Sequence, residues 1–347
     1  MNFDPTGSDY PLYNTMLAEA RRREKRMMFI NCSKLGALLI LYNIFNYLLR
    51  YPYYVLAASL HSGSLIPLPN DALEYLRENP DFAKSTAFSM GGNLFIFFVS
   101  VVLLLITAKL AFRVDISDMM RPKLSHIPEG LRWMPMCLFI NIAIAMLVTI
   151  LQNYLSTFGV TIPESDFSIS TPTTAALVIQ FLYVIVMGPI GEEIVYRGIV
   201  LTLLKPFGKW LAVLISALIF GLMHGNIPQM ASASASAVVT GIIAVQCGSI
   251  VPTIVIHICN NFIASYDDFA DAMGWAYADE IQMALYIVLL FAGGFVIFAY
   301  SYRLKIKEEQ YAMTAGQRFA QVFLNIPMLI YFCYLLAMII KGIVKAN

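Results

Sequence analysis

Nine stretches of this chain are too long and too apolar to be solvated by water. They lie near 35–59, 88–112, 133–155, 175–204, 209–225, 231–247, 249–266, 281–302 and 320–342. A bilayer-spanning helix needs about 20 predominantly apolar residues, and most of these runs reach that length. The two runs at 209–225 and 231–247 are short and leave little room for tilt. Composition agrees: the 347 residues are 59% hydrophobic and 13% charged, whereas soluble domains are about half apolar and a quarter charged. The expected fold class is therefore all-α, a polytopic protein of about nine transmembrane helices with the lipid bilayer as its solvent. The net charge of +1 gives no electrostatic reason to expect nucleic acid as a partner. The five cysteines are scattered, none in a C-x-x-C pair, and read as small buried hydrophobes. Residues 1–34 are polar and basic, so the first apolar run is expected to insert as a signal anchor.

The fourth run is 30 residues long, with Met187-Gly188-Pro189-Ile190-Gly191 at its middle. Proline removes a helical hydrogen bond, so a broken helix is expected there, and broken helices survive at membrane depth where they line a protein-enclosed cavity. Charge decides whether this segment crosses once or twice. If it crosses once and the N-terminus is inside, 17 of the 23 Lys and Arg fall on the inner side, including Arg21–Arg23, Lys123, Lys205, Lys209 and Arg303–Lys307. The outer loops 156–174 and 267–280 then hold none. Two crossings would place the basic 303–318 loop outside, so the positive-inside rule favours one. The Ala/Ser run from Ala231 to Ala237 reads as a seam where helix backbones approach closely.

Charged groups inside a membrane are costly, by roughly 2.5–3.5 kcal/mol each on insertion scales, so the runs that carry them anyway are informative. Gly191-Glu192-Glu193-Ile194-Val195-Tyr196-Arg197 lies in the fourth, Phe220-Gly221-Leu222-Met223-His224 closes the fifth, and His257-Ile258-Cys259-Asn260-Asn261 lies in the seventh. His61 and His126 fall in polar connections and are expected to be solvated. Glu193 and Arg197, four apart, share a helix face and can pair; Glu192, about 100° around, is left to face a cavity. His257 and Asn261 share a face, and Phe220 lies one turn before His224. Counted from the Lys205–Lys209 turn, Glu192 and His224 reach similar depths. Each element alone has a structural reading, the Glu–Arg pair as a clasp and a membrane histidine as an interhelical hydrogen bonder.

A carboxylate, two imidazoles and a carboxamide suffice to hydrolyse an amide without a covalent intermediate. A desolvated glutamate can take a proton from water, and imidazole and carboxamide can donate to a developing oxyanion. Glutamate with two histidines is also a ligand set that zinc accepts, but H-E-x-x-H is absent and asparagine ligates zinc poorly. A metal-free mechanism without cofactor is the favoured expectation.

At these residues the sequence resembles the CAAX protease and bacteriocin-processing (CPBP, or Abi) family of intramembrane endopeptidases, which includes the type II CAAX prenyl endopeptidases. The family pattern E-E-x-x-x-R, F-x-x-x-H, H-x-x-x-N is matched by Glu192-Glu193 with Arg197, Phe220 with His224, and His257 with Asn261. The resemblance covers 175–266. It implies a helical membrane core in which Glu192 activates water with His224, His257 and Asn261 stabilise the oxyanion, and Glu193, Arg197 and Phe220 support them. The chain then divides into a basic segment (1–34), three spans (35–174), the catalytic core (175–266) and two further spans (267–347). The expected substrate is a membrane-associated peptide or protein. The expected location is a cell membrane, crossed many times, with compact loops suggesting a bacterial plasma membrane. The alternatives are a non-enzymatic scaffold or bacteriocin-immunity protein binding a membrane partner, and a proton-coupled carrier, against which the lack of an inverted repeat counts. Nothing in the sequence bears on oligomeric state.

Overall fold

The computed structural model describes residues 10–121, 126–162, 169 and 171–346. The first nine residues, Lys123 of the basic inner set and part of the 156–174 loop lie outside that range. All regular structure among the described residues is helical. We label the helices α1 (Tyr10–Leu48), α2 (Arg50–Ser62), α3 (Thr86–Leu110), α4 (Ile127–Ser156), α5 (Thr174–Phe207), α6 (Lys209–Leu222), α7 (Ile227–Cys247), α8 (Val251–Ala264), α9 (Tyr266–Met273), α10 (Ala278–Tyr300), α11 (Ala315–Phe323) and α12 (Ile326–Ala346).

Each of the nine apolar runs corresponds to a helix. Seven helical stretches are long and apolar enough to cross a bilayer, whereas α6 and α8 are apolar but only 14 residues long. At 1.5 Å per residue such a helix spans roughly 21 Å, short of a hydrocarbon core of about 30 Å. Side chains near their ends therefore sit inside the protein rather than at the membrane surface. The run at 249–266 joins 209–225 as a short helix, while 231–247 extends to 21 residues in α7.

From Tyr10 the polar segment is helical, and α1 runs unbroken from it into the first span. Met28 and Cys32 are already fully buried. The expected break at Pro189 takes the form of a change of winding. α5 passes from α-helix into π-helix over Phe181–Met187, returns to α over Gly188–Glu193, and is π again over Ile194–Val200. The Gly188 N–H bonds back five residues to the Tyr183 carbonyl. A wide turn immediately before Pro189 accommodates its ring and missing N–H without interrupting the helix.

The core joins α1, α3, α5, α6 and α12 through Leu35, Leu39, Leu104, Leu204, Val213 and Leu335. Lipid is as apolar as these side chains, so close packing rather than escape from water holds the helices together. Gly36 shows this: a Cβ there would lie 2.6 Å from the Met328 nitrogen, so α1 and α12 meet backbone to backbone. The outward faces are apolar too, with Phe298 90%, Phe291 78% and Ile150 65% exposed, as lipid-facing side chains are.

The connections sort into two ends. Arg21 Nε donates to Ala312 O at 2.9 Å, Lys209 Nζ lies 3.0 Å from Glu309 Oε1, Gln246 Nε2 donates to Arg303 O at 3.0 Å, and Ile250 N donates to Met119 O at 3.0 Å. These contacts gather the basic end of α1 and the turns near 119, 207, 249 and 303–318 at one end. At the other, Thr86 N donates to Thr171 Oγ1 at 2.9 Å. This is the alternation that a single crossing by α5 requires. The chain is a multi-pass membrane protein.

Candidate active site

Helices α4 to α9 enclose a cavity of about 340 Å³. Glu192, Glu193, Arg197, Phe220, His224, His257 and Asn261 all line it, although 69 residues separate the first from the last. α5 brings the carboxylates and the guanidinium, α6 delivers Phe220 and His224 at its C-terminal end, and α8 presents His257 and Asn261 one turn apart.

The deepest element is an ion pair. Arg197 Nη1 lies 3.0 Å from Glu193 Oε1, with side-chain exposures of 2% and 1%. The guanidinium is held from two further directions: Nη2 donates to Thr240 Oγ1 of α7 at 2.7 Å, and its carbon lies 4.5 Å over the Phe220 ring. Buried charges are costly unless paired and hydrogen-bonded, and here a hydroxyl and an aromatic face add to the ion pair. Glu193 also faces α8, its Oε1 lying 3.0 Å from His257 Nδ1.

His257 thus bridges the carboxylates. A carboxylate can only accept, so Nδ1 carries a proton and Nε2 is directed elsewhere. Nε2 lies 3.6 Å from Glu192 Oε2, within ion-pair range but beyond a hydrogen bond. Glu192 faces the cavity, as its position on the helix suggested, and is 19% exposed.

His224 is fixed from its own helix. Its Nδ1 donates to the Phe220 carbonyl at 2.9 Å, leaving Nε2 unprotonated in the neutral ring. The chain then turns sharply: Gly225 has a left-handed φ of 72°, and Asn226 caps α7 by accepting from Gln229 N at 2.9 Å while donating to His224 O at 3.1 Å. The Phe220 ring meets both imidazoles edge-on, with centroids at 5.1 Å from His224 and 5.6 Å from His257. One aromatic ring thereby sets the orientation of two histidines and a guanidinium.

The other two histidines lie elsewhere. His61 stacks on Phe82 with centroids 3.9 Å apart. His126 is half-buried at the start of α4 rather than solvated.

The Ala231–Ala237 run has two faces. A Cβ on Gly221 would overlap Ser234 Oγ and lie 2.6 Å from Met230 O, so α6 and α7 do form a small-residue seam. Ser232, Ala233 and Ser236 on the opposite side line the cavity. That second role is absent from the sequence reading, as is any role for Thr240, Asn141 or Asn260. Asn141 had a signal: it is a lone carboxamide in the apolar stretch of α4 from Met134 to Leu151.

Among the described residues no three His, Cys, Asp or Glu side chains converge as a metal-binding group. Asn261 Nδ2 donates to the Val184 carbonyl at 2.8 Å.

Residues 174–263 match the family model of type II CAAX prenyl endopeptidases, Rce1-like. No curated protein and no solved structure gives a significant match to the chain. The matched stretch runs from the start of α5 almost to the end of α8 and takes in the whole ionic cluster. It leaves out α1–α4 and everything from α9 onward.

Proposed function

We propose that this Rce1-like membrane core hydrolyses a peptide bond in a membrane-associated protein or peptide, using water activated by Glu192 and no metal. The observation that carries this reading is the division of labour between the two adjacent glutamates. Glu193 is buried, with one oxygen shared between Arg197 and His257, whereas Glu192 faces the cavity with one imidazole nearby.

A water held between Glu192 and His224 gives a proton to the Glu192 carboxylate while its oxygen attacks the scissile carbonyl carbon. The carbonyl oxygen becomes an oxyanion that accepts N–H from protonated His257 Nε2 and from Asn261. When the tetrahedral adduct collapses, the carbon–nitrogen bond breaks and Glu192 returns its proton to the leaving amine. Two carboxylates, one guanidinium and one imidazolium sum to zero, so protonated His257 makes the cluster neutral, the least costly charge state inside a membrane. The cavity also takes in Ser265 and Asp268, away from the basic end; the substrate segment enters from that side.

The test is cleavage by the purified protein in nanodiscs, with membrane proteomes of wild-type and Glu192→Gln cells compared for an uncut precursor. A single precursor accumulating in the variant identifies the substrate. Full cleavage by Glu192→Gln would overturn the mechanism, and a phenotype rescued by the variant would instead indicate a scaffold.

A further inference from the structure

Three carboxamides from two helices form a head-to-tail chain along the cavity wall. Asn141 Nδ2 of α4 donates to Asn260 Oδ1 at 2.6 Å, Asn260 Nδ2 donates to Asn261 Oδ1 at 3.2 Å, and Asn261 Nδ2 donates to Val184 O at 2.8 Å. Every bond runs in the same direction, and the end of the chain explains why. A backbone carbonyl can only accept. Asn261 must therefore turn its amino group to Val184 and its oxygen to Asn260. That obliges Asn260 to present its own amino group, and its oxygen then requires a donor from Asn141.

The Val184 carbonyl is available because of the local winding. In the i→i+5 register that pairs Gly188 N with Tyr183 O, the next partner, for Val184 O, is Pro189, which has no N–H to give. The proline just beyond the π-wound stretch thus leaves an acceptor on the cavity wall, and Asn261 fills it from α8.

The consequence falls on the second N–H of Asn261. An amide group has two donors, and Val184 takes one. If the side chain flipped, an oxygen would face both Val184 and the cavity, and no donor would remain. We infer that Asn141, outside the matched core, is a positioning residue that acts through Asn260 to hold Asn261 with its amino group toward the reacting carbonyl. This rests on the reading of Asn261 as an oxyanion donor. Carboxamides between membrane helices also serve as simple glue. Glue would be indifferent to the direction of the bonds.

Direction is what the test reads. Asn141→Asp keeps the shape but, when ionised, replaces the obligatory donor with an acceptor. Protonation of that aspartate restores an O–H to Asn260. Asn141→Leu removes the donor at every pH. The full-length protein in nanodiscs, with asparagine selectively ¹⁵N-labelled and Asn261 assigned by its loss in Asn261→Asp, is measured at pH 8 and pH 5. In parallel, cleavage of a quenched-fluorescent farnesylated CAAX peptide gives kcat and KM.

The expected result is that both variants shift the Asn261 side-chain amide at pH 8 and that only Asn141→Asp returns toward the wild-type position at pH 5. Asn141→Leu lowers kcat about tenfold with KM little changed, a fraction of the 10²–10³ lost when an oxyanion donor is deleted outright. The ratio of Asn141→Asp to wild-type activity rises as pH falls. An Asn261 amide that does not move, or that moves without pH-dependent return, overturns the inference. If the wild type leaves the peptide uncut, that counts against prenylated peptides as substrate, and the amide shifts still decide the inference.

Discussion

His257 Nδ1 lies 3.0 Å from Glu193 Oε1, the same oxygen that lies 3.0 Å from Arg197 Nη1. One buried carboxylate oxygen thereby couples the orientation of an imidazole on α8 to a guanidinium on α5. Glu193→Gln keeps an oxygen that can accept from either partner but removes the negative charge, leaving Arg197 as an uncompensated charge over the Phe220 ring. Removing one partner of a buried pair costs about 3–5 kcal/mol. The variant should melt well below wild type in nanodiscs, followed by circular dichroism, and lose cleavage. An unchanged melting temperature would mean that the pair is not the structural centre of the site.

Glu192→Gln should behave in the opposite way. Its side chain is at the cavity wall and His257 Nε2 is 3.6 Å away, beyond a hydrogen bond, so little packing depends on it. Melting should stay within a degree or two of wild type, while cleavage falls by at least the 10²–10⁴-fold expected from loss of a general base. A large fall in stability would place Glu192 with the supporting residues instead.

These two variants also mark how far the sequence could be read. The i,i+4 spacing of Glu193 and Arg197 is a local pattern, so their pairing was legible, as was each apolar run that became a helix. Contacts that cross between helices leave no such trace. Thr240 meets Arg197 across 43 residues and His257 meets Glu193 across 64, and neither has a fixed spacing to betray it. Winding was hidden for a different reason. Pro189 announces that something must change in α5, but whether the helix stops or widens depends on whether a neighbour can satisfy the carbonyls left over, and that neighbour, Asn261, comes from α8. Polarity alone does not show that α1 continues through the basic segment, where Arg21 reaches the 312 loop while Met28 and Cys32 turn inward.

Gly221→Ala should test the α6–α7 seam. The added methyl group would overlap Ser234 Oγ and approach the Met230 carbonyl at 2.6 Å. A side chain can rotate away, but a carbonyl in a helix cannot. Overpacking of this kind costs about 1–3 kcal/mol. Because His224 lies just beyond this contact, activity should fall along with stability. Adding Ser234→Gly should recover part of the loss and not all, since the carbonyl stays. Full recovery in the double variant would show that only the hydroxyl was in the way.

At the basic end Glu308 gives stability a pH dependence. Partial burial works to raise its pKa, but the backbone N–H groups of Trp210 at 2.8 Å and Lys209 at 3.3 Å outweigh that and hold it below the usual carboxylate value. These are orphan donors of the first turn of α6, where negative charge is also favoured by the helix dipole. A group whose pKa is lower folded than unfolded stabilises the fold above its unfolded value. That contribution disappears as pH falls through the lower folded value. Glu308→Gln should therefore melt below wild type at pH 7, and the gap should close as the pH is taken down below 4.5. A gap that persists in acid would assign the effect to the shape of the side chain rather than its charge.

The two ends of the molecule predict its orientation. Arg21, Lys205, Lys209, Arg303 and Arg318 gather at one end, where Arg318 Nη1 donates to Phe207 O at 2.5 Å and Lys209 pairs with Glu309. The opposite end carries Asp267, Asp268, Asp271 and Asp279 with no Lys or Arg in 267–280. The positive-inside rule places the first end in the cytoplasm and the second outside. Single cysteines at Tyr277 and at Lys307, introduced into a cysteine-free chain and probed in intact cells with an impermeant maleimide, should react at Tyr277→Cys and be protected at Lys307→Cys until the cells are opened. Because the cavity reaches Ser265 and Asp268, the same result would mean that substrate enters from the outer side. Reaction at Lys307→Cys alone would reverse both the orientation and the direction of entry, and would put the Glu192 cavity within reach of chains made in the cytoplasm.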